Sequence, residues 1–414
     1  MSEYARYPEY KDSGVPWLGE IPSHWQVNRL KNEITFNDET LGDTTDLDYE
    51  ILYVDISSVS LVEGITKKEL MTFEASPSRA RRVAKSGDVI VSTVRTYLKA
   101  IAQVEDAEDN LIVSTGFAVL RPKANVSPKF LGYWVQSEGM VGAIVANSVG
   151  VSYPAINASD LVRLPIVNLP FEEQAQIANF LDHELGKIDA LIDKQQLLLD
   201  KLAEQRSAVI TQAVTKGLNP NAEMKDSGIE WLRKMPKHWS KIALHYLTSL
   251  KSGNTITALD FVENGNYPVF GGGGFRGYID KFTHEGEYNL IGRQGALCGN
   301  ITLANGKFFA TEHAVVVTPV KQLNNKWLNY LLYTMNLNQY STSSAQPGVS
   351  AEVIGRLRVP LPSLEEQIQI ADFLNQETQK IDQMTETVNR TIERLKEYRS
   401  TLITQAVTGK IKVF

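Results

Sequence analysis

The sequence predicts an α+β chain in which two α/β domains are separated by two long antiparallel coiled-coil helices, the whole forming a pseudo-twofold internal repeat. Three observations carry that expectation. Residues 11–30 (KDSGVPWLGEIPSHWQVNRL) and 225–244 (KDSGIEWLRKMPKHWSKIAL) are identical at ten of twenty positions, where average residue usage gives about one by chance. Residues 172–216 and 365–409 align without a gap, with 22 of 45 positions identical. The stretches between, 30–171 and 244–364, share only scattered matches such as Lys129/Lys326, Leu131/Leu328 and Tyr133/Tyr330. A constant frame therefore carries two divergent inserts.

With 414 residues and about 100–200 residues per domain, the chain has room for two to four domains. The expected divisions are a domain over 1–171, a long helix over 172–216, a second domain over 217–364 and a second long helix over 365–414. A hydrophobic fraction of 43% with 22% charged residues excludes disordered and collagenous chains. There is no run of eighteen apolar residues, and the start MSEYARYPEYKDSG lacks the basic and apolar segments of a signal peptide. Neither membrane insertion nor secretion is expected, and the default location is cytoplasmic. A single cysteine, Cys298, rules out an intramolecular disulfide and a cysteine-based metal cluster within one chain.

Along each insert, strand-like runs (88–95, 111–120, 289–292 and 314–318) precede an amphipathic helix candidate, 128–136 or 325–335. Each long block is entered through Leu-Pro, at Leu169-Pro170 and Leu361-Pro362, and contains no proline. Ser363 and Glu366 have capping-box spacing. Leu181, Ile188, Gln195, Leu202 and Val209 recur every seven residues, as do Leu374, Ile381, Val388, Leu395 and Leu402; this is a coiled-coil seam. Leu191 and Leu198 fall three positions after members of the first row. Forty-five helical residues span roughly 65 Å. Two matched helices in one chain favour an internal antiparallel pair, holding the inserts at opposite ends, over a homo-oligomerisation stalk. The motif expected after the second block stands instead at the N-terminus, so the termini are expected to lie together. Gly186 stands where the second block has Gln379, which predicts a bend.

Motifs for catalysis are missing. Gly272, Gly274 and Gly277 satisfy G-x-G-x-x-G, but no long apolar strand precedes them and no apolar helix follows, so a tight turn is the better reading. The histidines have no metal-ligand spacing, and His24 and His238, in the repeated P-x-H-W, read as structural. Serine-hydrolase elbows, P-loops and the Asn/Asp-Pro-Pro-aromatic tetrad of amino-methyltransferases do not occur. No catalytic residue and no metal site is expected.

Charge is informative by segment. The net charge of −6 taken alone argues against nucleic acid. Yet Arg79, Arg81, Arg82, Lys85, Arg95 and Lys99 meet only one acid, Asp88, between positions 79 and 99, a density suited to a phosphate backbone. A solvated face is the competing reading. In the second insert, Arg276 follows a glycine turn and Arg293-Gln294 sits where a strand gives way to glycine. Arg and Gln carry the paired groups that read guanine and adenine edges, although either serves equally as a scaffold partner.

The arrangement resembles the specificity subunit of type I restriction-modification systems. The residues that carry the likeness are Glu173-Gln174 with Ile177, Ala178, Phe180 and Leu181, their counterparts Glu366-Gln367 with Ile370, Ala371, Phe373 and Leu374, and the helix ends Ile210–Thr215 and Ile403–Thr408. The segments 114–122, 292–296 and 310–318 add to it. The likeness covers essentially the whole chain, and the duplicated order is its most specific part.

The resemblance implies that the inserts are target recognition domains, each reading one half of a bipartite, asymmetric sequence in double-stranded DNA, while the paired helices set the spacer. It implies a subunit with no active site and no cofactor of its own. Two modification subunits, which bind S-adenosylmethionine and methylate adenine, dock on the frame, with Glu173, Gln174, Ile177, Phe180, Glu366, Gln367, Ile370 and Phe373 as candidate docking residues. Motor-nuclease restriction subunits using ATP and Mg2+ complete the complex, and no membrane is involved. Two alternatives stand beside this reading: a coiled-coil adaptor without DNA binding, and a self-contained methyltransferase or nuclease.

Overall fold

Both heptad blocks fold as single helices, Phe171–Lys216 and Leu364–Val407, in the computed structural model, which describes residues 4–341 and 347–414. The first three residues of the first expected domain and residues 342–346 of the second lie outside the described residues. The chain divides into two compact units, Met1–Gln195 with Arg390–Phe414, and Gln196–Asn389. The divisions expected at 171/172 and 364/365 mark where the helices begin, but the units cut across both helices. Each unit owns half of each helix because those halves share its core.

In the first unit Leu181, Leu185 and Ile188 are buried in one cluster with Leu402, Ile403, Ala406 and Val407. In the second, Ile210, Ala213 and Val214 join Ile370, Ala371 and Leu374. Asp189 pairs with Arg399 at 3.0 Å in the first unit and Asp382 with Arg206 at 3.4 Å in the second. The partner number falls as the residue number rises, so the helices run antiparallel. These are matching residues of the duplicated blocks, so the same ion pair is built twice. The expected seam needs one correction: Leu191 and Leu198 are 46% and 42% exposed, and the companion row is Leu185, Ile192 and Leu199, four residues after the first. A stripe spaced alternately by four and three, as in Leu181, Leu185, Ile188 and Ile192, keeps the heptad and places the second row one position later than expected. The helix also runs unbroken through Gly186, so the break in propensity there interrupts nothing.

The divergent inserts share one topology. The first unit has an antiparallel sheet ordered Ile101–Gln103, Val89–Ser92, Phe117–Pro122, Ile34–Phe36, and the second has Ile301–Ala304, Tyr288–Gly292, Ala314–Pro319, Thr248–Ser252. Each has a further sheet with a central parallel pair, Glu50–Val54 beside Leu111–Ser114 and Tyr267–Gly271 beside Lys307–Ala310. The apolar run 111–120 is thus two strands in different sheets, broken at Thr115-Gly116, where a Cβ on Gly116 would lie 2.5 Å from Ile56. Helices Pro128–Gln136 and Asn325–Thr334 follow, capped by the side chains of Ser127 and Asn324.

The scattered sequence matches fall on these two helices. Leu131 and Leu328 are fully buried. Tyr133 donates to Asp182 Oδ1 at 2.6 Å, and burial followed by that bond pushes its phenol far above the usual range. Tyr330 lies 3.3 Å from Asn375 Oδ1 and 3.2 Å from the Thr378 hydroxyl. What survives divergence in the inserts is therefore the seat on the long helices.

The repeated motif builds a hairpin, Tyr10–Asp12 with Glu20–Pro22 and Met224–Ile229 with Leu232–Pro236. Within the first unit the termini meet: Lys412 N–H donates to Ala5 O at 2.8 Å, and the Tyr10 hydroxyl to Gly409 O at 2.9 Å. The glycine run also folds as a turn, with Gly271 pairing Gly274 in a hairpin and a strand, Gly274–Ile279, following where a dinucleotide site needs a helix.

Candidate nucleic-acid interface

The Glu-Gln pairs that open the long helices face inward. Glu173 is 8% exposed and accepts from the Tyr7 hydroxyl at 2.9 Å and Trp25 Nε1 at 3.0 Å, with His24 Nε2 at 3.0 Å. Glu366 accepts from Trp239 Nε1 at 2.8 Å, with His238 Nε2 at 3.2 Å. This gives the P-x-H-W motif its structural purpose: it supplies donors to the carboxylate at the head of a long helix. Glu366 is thereby diverted from the capping box, of which only the Ser363 half forms, through the Glu366 N–H at 3.2 Å. Gln174 accepts from Ser127 N–H at 2.9 Å and Gln367 from Asn324 N–H at 3.0 Å. Ile177 and Ile370 are fully buried. Of the expected docking residues, only Phe180, half-buried and edge-on to Tyr4 at 5.3 Å, and Phe373, 38% exposed, present ring surface.

The basic run of the first insert separates into two groups. Arg79 pairs with Asp55 at 2.8 Å, Arg81 with Asp43 at 3.4 Å and Lys85 with Glu39 at 2.5 Å. Lys85 and Arg121 together hold the Glu39 carboxyl below its usual range. Arg82 is half-buried, its Nε has no partner, and burial lowers its pKa. The one local acid, Asp88, is buried against Arg121 at 2.9 Å. Arg95 and Lys99 differ: both are exposed on the turn after the strand Val89–Ser92. The acids that neutralise the run come from residues 39–55, too far along the chain for a local count to see.

In the second unit, Gly272, Gly273, Phe275, Arg276, Gln294 and His313 line a cleft of about 520 Å³. Gly292 makes this possible, because a Cβ there would lie 2.2 Å from Gly272 O; the glycine hairpin and the Arg293 turn meet backbone to backbone. Arg293 donates to Ser252 Oγ at 3.3 Å, a neutral partner that leaves its charge uncompensated. Arg276, Arg293 and Gln294 are all exposed. The structure thus gathers the second-insert candidates on neighbouring turns. Among the described residues no cluster of His, Cys, Asp and Glu is placed to hold a metal ion, and no helix is long and apolar enough to cross a membrane.

Residues 236–394 match the family model described as the type I restriction modification DNA specificity domain. The chain is 24% identical over 420 aligned positions, 96% of each protein, to a putative type I restriction enzyme MjaX specificity subunit of Methanocaldococcus jannaschii. It is 42% identical over 154 residues to the type I restriction enzyme EcoprrI specificity subunit of Escherichia coli. Residues 236–394 thus carry a type I restriction-modification DNA specificity domain, and the chain as a whole is similar to specificity subunits of such systems. The match to the EcoprrI subunit takes in 36% of this chain and 37% of its relative, well under two thirds of that protein's length. Among solved structures, a chain from the complex described as the structural basis of assembly and conformational transition of the type I R-M system superposes with a TM-score of 0.75 at 23% identity, covering 94% of this chain and 98% of that one. The HsdS subunit from Thermoanaerobacter tengcongensis gives 0.52 at 24% identity with the same coverage. These two likenesses speak for the fold.

Proposed function

We propose that this chain is the non-catalytic DNA sequence-recognition subunit of a type I restriction-modification complex, each insert reading one half of a bipartite, asymmetric target. The observation that carries the reading is the doubled architecture. One sheet topology is built twice on divergent sequences, and each copy presents exposed polar side chains beside the same turn, the cations Arg95 and Lys99 in one and the cation Arg293 with the neutral Gln294 in the other, with Arg276 on the adjoining hairpin. Phosphate contact supplies affinity and base-edge contact supplies sequence. The continuous long helices serve as the spacer ruler. Because the frame repeats, it offers two similar surfaces, each receiving one modification subunit at the exposed faces of Phe180 and Phe373. S-adenosylmethionine belongs to those subunits, and ATP with Mg2+ to the restriction subunits.

The negative total charge is consistent with a subunit that grips DNA weakly by itself. Fluorescence anisotropy on a randomised DNA pool, followed by sequencing of the retained fraction, tests this. The complex with modification subunits should retain a two-part sequence with a fixed gap, and the single chain should bind far more weakly. Retention without sequence preference in the complex would instead favour the adaptor alternative.

A further inference from the structure

Two turns, one in each unit, are built alike although their sequences have diverged. Ser92 N–H donates to Ala100 O at 2.9 Å and Gly292 N–H to Asn300 O at 2.8 Å; Leu98 N–H donates to Arg95 O at 2.9 Å and Cys298 N–H to Gly295 O at 3.0 Å. Each turn is tied to the loop before the next short helix, through Ile156 N–H to Thr93 O at 2.8 Å and Val349 N–H to Arg293 O at 3.0 Å. In this register Arg95 matches Gly295, Tyr97 matches Leu297 and Lys99 matches Gly299.

Gly295 and Gly299 have φ of +79° and +80°, which glycine adopts without steric cost. Arg95 and Lys99 hold the same left-handed conformation, with φ of 50° and 55°. The other non-glycine residues with positive φ among the described residues are Asn37, Asp106 and Asn336, types that tolerate it. Two cations are thus kept strained where glycine would be relaxed, and such strain persists at working sites. Arg95 lies 5.0 Å over the Tyr153 ring, which leaves its charge unneutralised. Between the left-handed positions, Tyr97 is 51% exposed and Leu297, which covers Gly273, is 55% exposed.

We propose that Tyr97 and Leu297 are specificity-determining tips, each pressing an apolar side chain against base edges in the groove of its half-site, while Arg95 and Lys99 hold the flanking phosphates in the first unit. Apolar side chains in this role contact thymine methyls or wedge base steps. The inference rests on the DNA-recognition reading above.

The test uses the full complex with modification subunits on DNA in which every target base is varied. Tyr97→Ser should lose about 10- to 100-fold discrimination at a position in one half-site, and Leu297→Ser the same in the other half only. Arg95→Gly and Lys99→Gly should weaken binding to every sequence, lower the salt slope by about one each, and raise rather than lower the melting temperature of the chain. Unchanged base preferences in both Ser variants, or an even loss on all sequences, would overturn the tip assignment while leaving DNA recognition intact. A wild-type complex without sequence preference would remove the recognition reading itself, and the tips with it.

Discussion

At the scale of single residues, the frame is fastened by carboxylates in apolar surroundings. Glu173 is the clearest case, because the Tyr7 hydroxyl and Trp25 N–H both depend on it, and an unsatisfied buried donor costs about 1–3 kcal/mol. Glu173→Ala should therefore lower stability by about 3 kcal/mol, measured by denaturant unfolding, while Glu173→Gln, which keeps an acceptor, should cost clearly less. His284 gives a pH dependence. Burial holds its imidazole below the usual value of 6.5, so the unfolded chain takes up more protons there as pH falls. Stability should be level above about pH 6.5 and decline below it, and His284→Phe should flatten that decline in thermal melts. Residue types alone made His24 and His238 legible as structural. They did not reveal that Glu173 and Glu366 are the partners, because the pairing joins positions more than a hundred residues apart.

At the scale of elements, periodicity predicted both long helices and, to within a residue, the helices 128–136 and 325–335; the second long helix, expected to run to 414, ends at Val407, and the chain beyond it turns back on the N-terminal segment. The second row of the seam lies four rather than three residues after the first, because a seven-residue repeat accommodates either spacing and does not choose between them. The strand run 111–120 was legible as strand but not as two, because the break depends on Ile56 crowding Gly116. Gly186 supplies an expectation about the helix itself. A Cβ there meets nothing within 4 Å, so Gly186→Ala should stabilise the chain by about 1 kcal/mol, read as a rise in melting temperature. The basic run 79–99 carries the corresponding lesson for the candidate site. Three of its six cations are paired with acids from residues 39–55, so their charge is already met within the chain, whereas Arg95 has only an aromatic ring beside it. Removing Arg79 should accordingly change DNA affinity of the complex less than removing Arg95, as titrations at two salt concentrations will measure.

At the scale of the whole molecule, duplication is the governing fact. The ion pairs Asp189–Arg399 and Asp382–Arg206, the Glu-Trp-His fasteners and the sheet topology all occur once per unit. The frame was legible because its repeats are long and ungapped, whereas the shared insert topology was hidden, since only positions such as Tyr133 and Tyr330 that seat the insert on the helices stayed alike. Such a doubled chain is expected to recognise DNA in modules, one insert per half-site. The direct measurement is methyl-adenine mapping across the genome of a host expressing the modification subunits with a chain whose residues 244–364 come from another specificity subunit. One half of the methylated sequence should change while the other half and the spacer persist; a change in both halves would contradict modular recognition.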